Sequence, residues 1–246
     1  MQWSWFTTLL GALKITLELT AIVTAVGIVW SLVVAAATFS EVKAVARLAR
    51  FYIDIMRSIP LLPALVSVNY GLGAELVRWN ISTFWMVFFI LVLIESGYTA
   101  EVYRGIFRAM PAGQWEAARS LGLSWTQIII RVVIPVSVPA LIPVSVNSFV
   151  FTLKDTSLAS IVALPEVTLA ATTLVSETFE PLKVYILLAV VYLGVSLPVM
   201  GLAWLLQRFT GDRVSWRRPR VPLRSAVVAG GPAMQPSLLA QRGEEN

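Results

Sequence analysis

Three stretches of the chain, Leu19–Ser40, Val132–Leu153 and Val184–Gln207, contain no Asp, Glu, Lys or Arg. A bilayer core about 30 Å thick is crossed by about 20 apolar residues of helix, so each stretch is long enough to span it alone. Two shorter gaps, Ser58–Ala74 and Trp79–Ile94, become long enough if the helix includes Phe51–Arg57 in the first case and runs past Glu95 in the second. The pattern predicts an all-α polytopic membrane protein with about five spans: Thr16–Phe39, Phe51–Gly73, Phe84–Tyr103, Val132–Leu153 and Val184–Phe209. A soluble bundle is excluded because 57% of residues are hydrophobic and only 13% charged, against roughly 25% charged in a soluble domain. Met1–Leu13 carries no basic residue and the apolar run that follows it is too long, so the N-terminus is not expected to be a secretory signal. With 0 Cys and 0 His, disulfides, thiolate zinc sites and His-based catalytic triads are excluded.

The few charges present set the orientation. With the N-terminus outside, fifteen of the nineteen Lys and Arg residues fall on the inner side. They are Lys43, Arg47, Arg50 and Arg57, then Arg104, Arg108, Arg119 and Arg131, then seven between Arg208 and Arg242. Only Lys14, Arg78, Lys154 and Lys183 fall outside. Cytoplasmic loops carry the cationic excess, so the expected topology is N-out, C-in. The net charge of +5 is then a topology signal, and the cluster Arg213–Arg224 is expected to face anionic lipid head groups, not nucleic acid. Ser225–Gln241 is also free of charge, but Gly230, Gly231, Pro232 and Pro236 make it a flexible tail. The expected organisation is a transmembrane domain over 1–209 and a tail, first basic and then Gly/Pro-rich, over 210–246.

The connection between spans three and four, about residues 104–131, carries the most information. Pro111 and Gly113 break the preceding helix, Gln114–Leu121 is rich in helix formers, and Gly122 suits a helix end that needs positive φ. Ser124 followed by Gln127 has the spacing of a capping box that starts the next helix. Three readings arise: a plain surface helix, a DNA-binding helix-turn-helix, and a short helix presented to a partner's groove. The second fails because its recognition helix, with the sequence IIIRVVIP, enters the bilayer.

The run Glu116-Ala117-Ala118, three residues, Gly122, nine residues, Val132-x-Ile134-Pro135 resembles the EAA loop of permease subunits of ATP-binding-cassette importers. Val132 and Ile134 are conservative departures from that motif's Ile and Leu. Met56–Leu62 (MRSIPLL), Gly97–Gly105 (GYTAEVYRG), Pro111–Ser124 and Lys154–Val162 (KDTSLASIV) are similar to the polar-amino-acid branch of those permeases. Ser58 and Ile59 depart from its usual FRGTPLL, and Ser148 replaces the acidic residue of its Asn-Glu-Phe. The resemblance covers about Gly11–Arg208. It implies a type I importer permease that translocates a polar amino acid or opine-like derivative across a bacterial inner membrane. It also implies ABC ATPase subunits as partners, a second permease copy or paralogue, and an extracytoplasmic substrate-binding protein. Glu116, Ala117, Ala118, Gly122 and Pro135 are then the ATPase-coupling residues. No cofactor is expected in this chain, because no Gly-Lys-Ser/Thr triplet forms a phosphate loop and ATP is used by the partner.

Ionisable groups inside a membrane face a protein interior or a cavity. Glu95 either lines the substrate pathway, meeting the ammonium of an amino acid, or partners a neighbouring helix. Glu101 is expected to pair with Arg104, and Asp54 with Arg57. Asn147 either bonds across helices or touches substrate. Lys154 and Asp155 match the family's KDTS segment and are expected at the outer gate or binding-protein contact. The alternative activity is an ion-coupled secondary transporter, although no internal repeat is visible. A hydrolase is remote without His or Cys.

Overall fold

The computed structural model describes residues 3–211, and all regular structure among them is helical. The first helix, α1 (Trp3–Ala37), begins well before the expected Thr16. Lys14 and Glu18 do not interrupt it, since they stand 3.7 Å apart as an exposed i,i+4 pair.

The expected span Phe51–Gly73 is not one continuous helix. It is two helices, α2 (Lys43–Ser58) and α3 (Leu61–Gly71), which meet at 90°. Pro60 has no N–H to donate and excludes helical backbone from the residue before it, so Ile59 is extended (φ −88°, ψ 119°). A short α4 (Gly73–Arg78) leads to α5 (Thr83–Arg108). Then come α6 (Ala112–Ser120) and α7 (Trp125–Ile128). A π-helical turn, Ile129–Val133, joins α7 to α8 (Ile134–Asp155), and a 3-10 segment, Thr156–Val162, prolongs it. Two further helices, α9 (Val167–Thr178) and α10 (Pro181–Gly211), complete the described chain. Four helical stretches are long and apolar enough to cross a membrane, and the count reaches five if the bent α2–α3 pair is taken as one broken span. From residue 212 onward the expected tail, with the Arg213–Arg224 cluster, lies outside the described residues.

α5 sits at the centre and packs against α1, α2, α3 and α8. One core joins Leu19 and Val23 of α1 to Leu65, Val87, Leu91 and Leu164. A second joins Leu9 and Leu13 to Val167, Ala171, Val184 and Leu187, and so seats α9 between the start of α1 and α10. Glu166 caps α9 by accepting from the Leu169 N–H at 2.8 Å. Burial pushes its carboxyl above the ordinary range, against the opposing hydrogen bonds. Outward-facing residues are apolar too, among them Val29, Phe89, Leu93 and Val190, as befits helices surrounded by lipid or by other helices.

The α2–α5 contact is the tightest glycine-mediated approach in the fold. A Cβ placed on Gly97 would lie 2.6 Å from the Met56 Cβ. Gly97→Ala is therefore expected to destabilise the solubilised protein by about 1–3 kcal/mol, the usual cost of overpacking, read as a lower unfolding temperature. Because the clash is with Cβ itself, Met56→Gly should restore the unfolding temperature of that variant and Met56→Ala should not. Equal rescue by both would show that the contact had been misassigned.

Candidate functional site

The α6–α7 elbow is built from local rules. α6 ends in a Schellman motif: the Leu123 N–H bonds the Ala118 carbonyl at 3.3 Å, and the Gly122 N–H bonds that of Arg119 at 2.9 Å. Gly122 has φ +70°, the left-handed conformation that glycine adopts without penalty. The expected capping box is present, with the Ser124 N–H donating to Gln127 Oε1 at 2.9 Å and Ser124 Oγ accepting from the Gln127 N–H. Two interlocked caps thus meet across four residues, Leu121–Ser124, and fix the angle between α6 and α7. Ala118 faces inward, whereas Glu116, Ala117, Arg119 and Leu121 are exposed, Leu121 at 78%. Pro135 lies in the first turn of α8. The π-turn ahead of it has the Ile134 N–H bonding the carbonyl of Ile129, five residues back.

The second feature is a polar seam between α5 and α8. Glu95, Thr99 and Tyr103 recur every four residues on α5 and so share one face. Opposite them on α8, Thr152 donates to Glu95 Oε2, Ser148 bonds Thr99 at 3.2 Å, and Ser145 bonds Tyr103 at 2.6 Å. Glu95 Oε1 is buried and has no hydrogen-bond partner among the described residues. Beside the seam lies a cleft of about 320 Å³ lined by Glu95, Tyr98, Thr99, Ser148, Phe151 and Asp155, within the size range of small-molecule sites. It combines two carboxylates with two aromatic rings, a lining suited to a cationic group. Each ring also has a cation of the chain over it: Arg57 stands 5.9 Å from the Tyr98 ring centre, and Lys154 stands 5.9 Å from that of Phe151.

The structure therefore brings Glu95 and Asp155 together, with Lys154 exposed at their edge. Asn147 is exposed on α8 and is not part of the cleft lining. The expected Glu101–Arg104 pair forms at 2.5 Å. The expected Asp54–Arg57 pair does not form among the described residues, and Arg57 lies over Tyr98 instead. Tyr98, Phe151 and Thr152 went unread in the sequence, although polar side chains spaced four apart on α5 and three and four apart on α8 mark the seam.

A family profile described as "Binding-protein-dependent transport system inner membrane component" matches residues 27–211. The chain belongs to this family. The permease is 32% identical to the octopine transport system permease protein OccM of Rhizobium meliloti over 225 residues, 88% of this chain and 92% of that one. It is 32% identical to the nopaline transport system permease protein NocM of Agrobacterium fabrum, over 87% of this chain and 94% of the relative. A crystal structure of an amino acid ABC transporter with histidines superposes with a TM-score of 0.73 at 28% identity, covering 83% of the permease and 95% of that chain. An inward-facing MetNI methionine ABC transporter shares the fold, with a TM-score of 0.65 at 19% identity over 87% and 97% of the two chains. The permease is thus a multi-pass transport subunit whose ATPase is a separate chain, and the family match gives the ion-coupled alternative no support.

Proposed function

We propose that the permease carries a polar amino acid or an opine-like derivative inward across a bacterial cytoplasmic membrane by alternating access. ABC ATPase subunits drive it by gripping the α6–α7 elbow. The observation that carries this reading is the elbow itself, an EAA-spaced helix held at a set angle by a Schellman motif and a capping box. Such a junction passes on motion as a rigid body. Glu116 offers a carboxylate to a cation or N–H donor of the ATPase, and Ala117 and Ala118 keep the helix narrow. Gly122 sets the angle, and Pro135 opens the driven helix. ATP is used on the partner, with no cofactor in this chain and no role for nucleic acid.

The relatives named for octopine and nopaline, and the amino acid transporter among the solved structures, support the substrate class. Glu95 and Asp155 receive the substrate's cationic group in the α5–α8 cleft, and Asn147, exposed nearby on α8, contributes to the same path. Lys154 and Asp155 lie at the outer end, where an extracytoplasmic binding protein delivers substrate. Among the described residues two helices, α5 and α8, wall the cleft, so a second permease, copy or paralogue, closes it. The N-terminus is outside and the elbow is cytoplasmic, beside anionic lipid.

The test is uptake into proteoliposomes. Uptake is expected only with ATP inside, the ATPase and the binding protein present, and none from a proton or sodium gradient without the ATPase. Gradient-driven uptake by the permease alone would replace this reading with a secondary transporter.

A further inference from the structure

Phe39 lies just past the end of α1, and nothing in the EAA motif points to it. Yet it touches every element of the elbow. Its ring stacks on Trp115 of α6, with centroids 5.6 Å apart and planes 22° apart. It meets the ring of Phe107, in the last turn of α5, edge-on at 6.3 Å. Its carbonyl accepts from Trp125 Nε1, at the first position of α7, at 2.9 Å. Phe107 is fully buried beneath this junction. Aromatic pairs of this kind are favourable beyond the area they bury, and the indole bond adds a directional constraint. α6 and α7 are joined covalently only to α5 and α8, so α1 can follow the elbow only through contacts across space. Phe39 supplies two of them, to α6 and α7, and a third contact to the end of α5, at one residue.

The geometry points to Phe39 as a positioning residue for energy coupling: it clamps the C-terminal end of α1 to the docking elbow. When α6 is displaced, α1 moves with α5 and α8 and does not stay behind. The consequence reaches the cleft, because α1 packs along α5, where the Ser31 hydroxyl bonds the Ser96 carbonyl at 3.2 Å, next to Glu95. Without the clamp, ATP-driven displacement of the elbow would move the α5–α8 seam while α1 lags, and some power strokes would end without translocation. This assignment rests on the proposed docking of the ATPase at the elbow.

The readout is ATP hydrolysed per substrate imported, measured on the same proteoliposomes with the ATPase and binding protein. Phe39→Ala is expected to raise that ratio by at least about fivefold, the lower end of ordinary coupling energies, while ATPase retention is unchanged. Phe39→Tyr, which keeps the ring, should return the ratio to the wild-type value. Trp125→Phe removes only the indole donor and should raise the ratio by a smaller factor. That variant carries the test alone if Phe39→Ala does not assemble. A merely structural role would lower hydrolysis and uptake together, and an unchanged ratio in Phe39→Ala and Trp125→Phe would overturn the clamp. Glu116→Lys in the same assay separates the two readings. If it abolishes ATPase retention while the Phe39 ratio is flat, docking stands and the clamp falls. If Glu116→Lys retains the ATPase, the docking reading falls and the clamp with it.

Discussion

Glu116→Lys is expected to leave the permease in the membrane and to release its ATPase, with ATP-dependent uptake falling by about 100-fold, the upper range of a coupling free energy of 1–3 kcal/mol. Glu116 is exposed on α6 and its carboxylate makes no ion pair among the described residues, so reversing its charge breaks nothing inside the fold. What the substitution changes is the face offered to the partner, where an acceptor becomes a like charge for any cation waiting there. Gly122→Asp should act by a second route. A Cβ at Gly122 meets nothing within 4 Å, but the residue sits at φ +70°, where an L side chain costs roughly 1–2 kcal/mol. The elbow would relieve that strain by changing angle, and the new carboxylate adds charge beside the docking face. Gly122→Ala isolates the backbone cost and should show the milder loss. Co-purification with the ATPase and ATP-driven uptake are the measurements. Normal retention and uptake in both Glu116→Lys and Gly122→Asp would remove the elbow from the coupling path.

Sequence and structure agree where local chemistry decides the outcome. Gly122, Ser124 and Gln127 act through bonds to near neighbours, so their spacing alone specifies a Schellman end and a capping box. Charge-free runs long enough to cross a bilayer become helices because no water is present to satisfy the backbone otherwise. The sequence reading fell short where two effects compete over the same residues. Phe51–Gly73 is apolar enough to span in one piece, yet Pro60 breaks the helix and turns it through 90°. Hydropathy counts residues and does not register the missing N–H. The Asp54–Arg57 expectation rested on spacing along one helix, but Tyr98 on α5 offers the guanidinium a ring face from outside that helix. The cleft was half legible. Glu95 is conspicuous as a charge within an apolar run, whereas Tyr98, Phe151 and Thr152 are ordinary membrane residues until α5 and α8 are set side by side. Phe39 is the extreme case, since its partners lie 68, 76 and 86 positions away in sequence, at Phe107, Trp115 and Trp125.

Substrate recognition should hinge on the charge at position 95. Thr152 already donates to one oxygen of Glu95, and the other, Oε1, is buried without a partner among the described residues while the side chain lines the cleft. Glu95→Gln keeps the size of the side chain and an acceptor for Thr152, and it removes the negative charge. A hydrogen bond to a charged group contributes about 1.5–3 kcal/mol, so uptake of substrates with a cationic side chain should fall by about 10- to 150-fold. Assembly with the ATPase should be unaffected, since the elbow lies at the far end of α5. Neutral substrates should lose less, because they present only the α-ammonium to the cleft. Thr152→Val provides the contrast: it leaves the carboxylate charged but without its anchor, so the loss should be smaller and shared more evenly between substrates. The decisive measurement is a competition series across cationic and neutral amino acids and opines, with uptake followed at fixed ATPase loading. If Glu95→Gln leaves the order of preference unchanged, Glu95 is a helix-packing residue linked to Thr152, and recognition belongs to the binding protein and the remaining walls of the cleft.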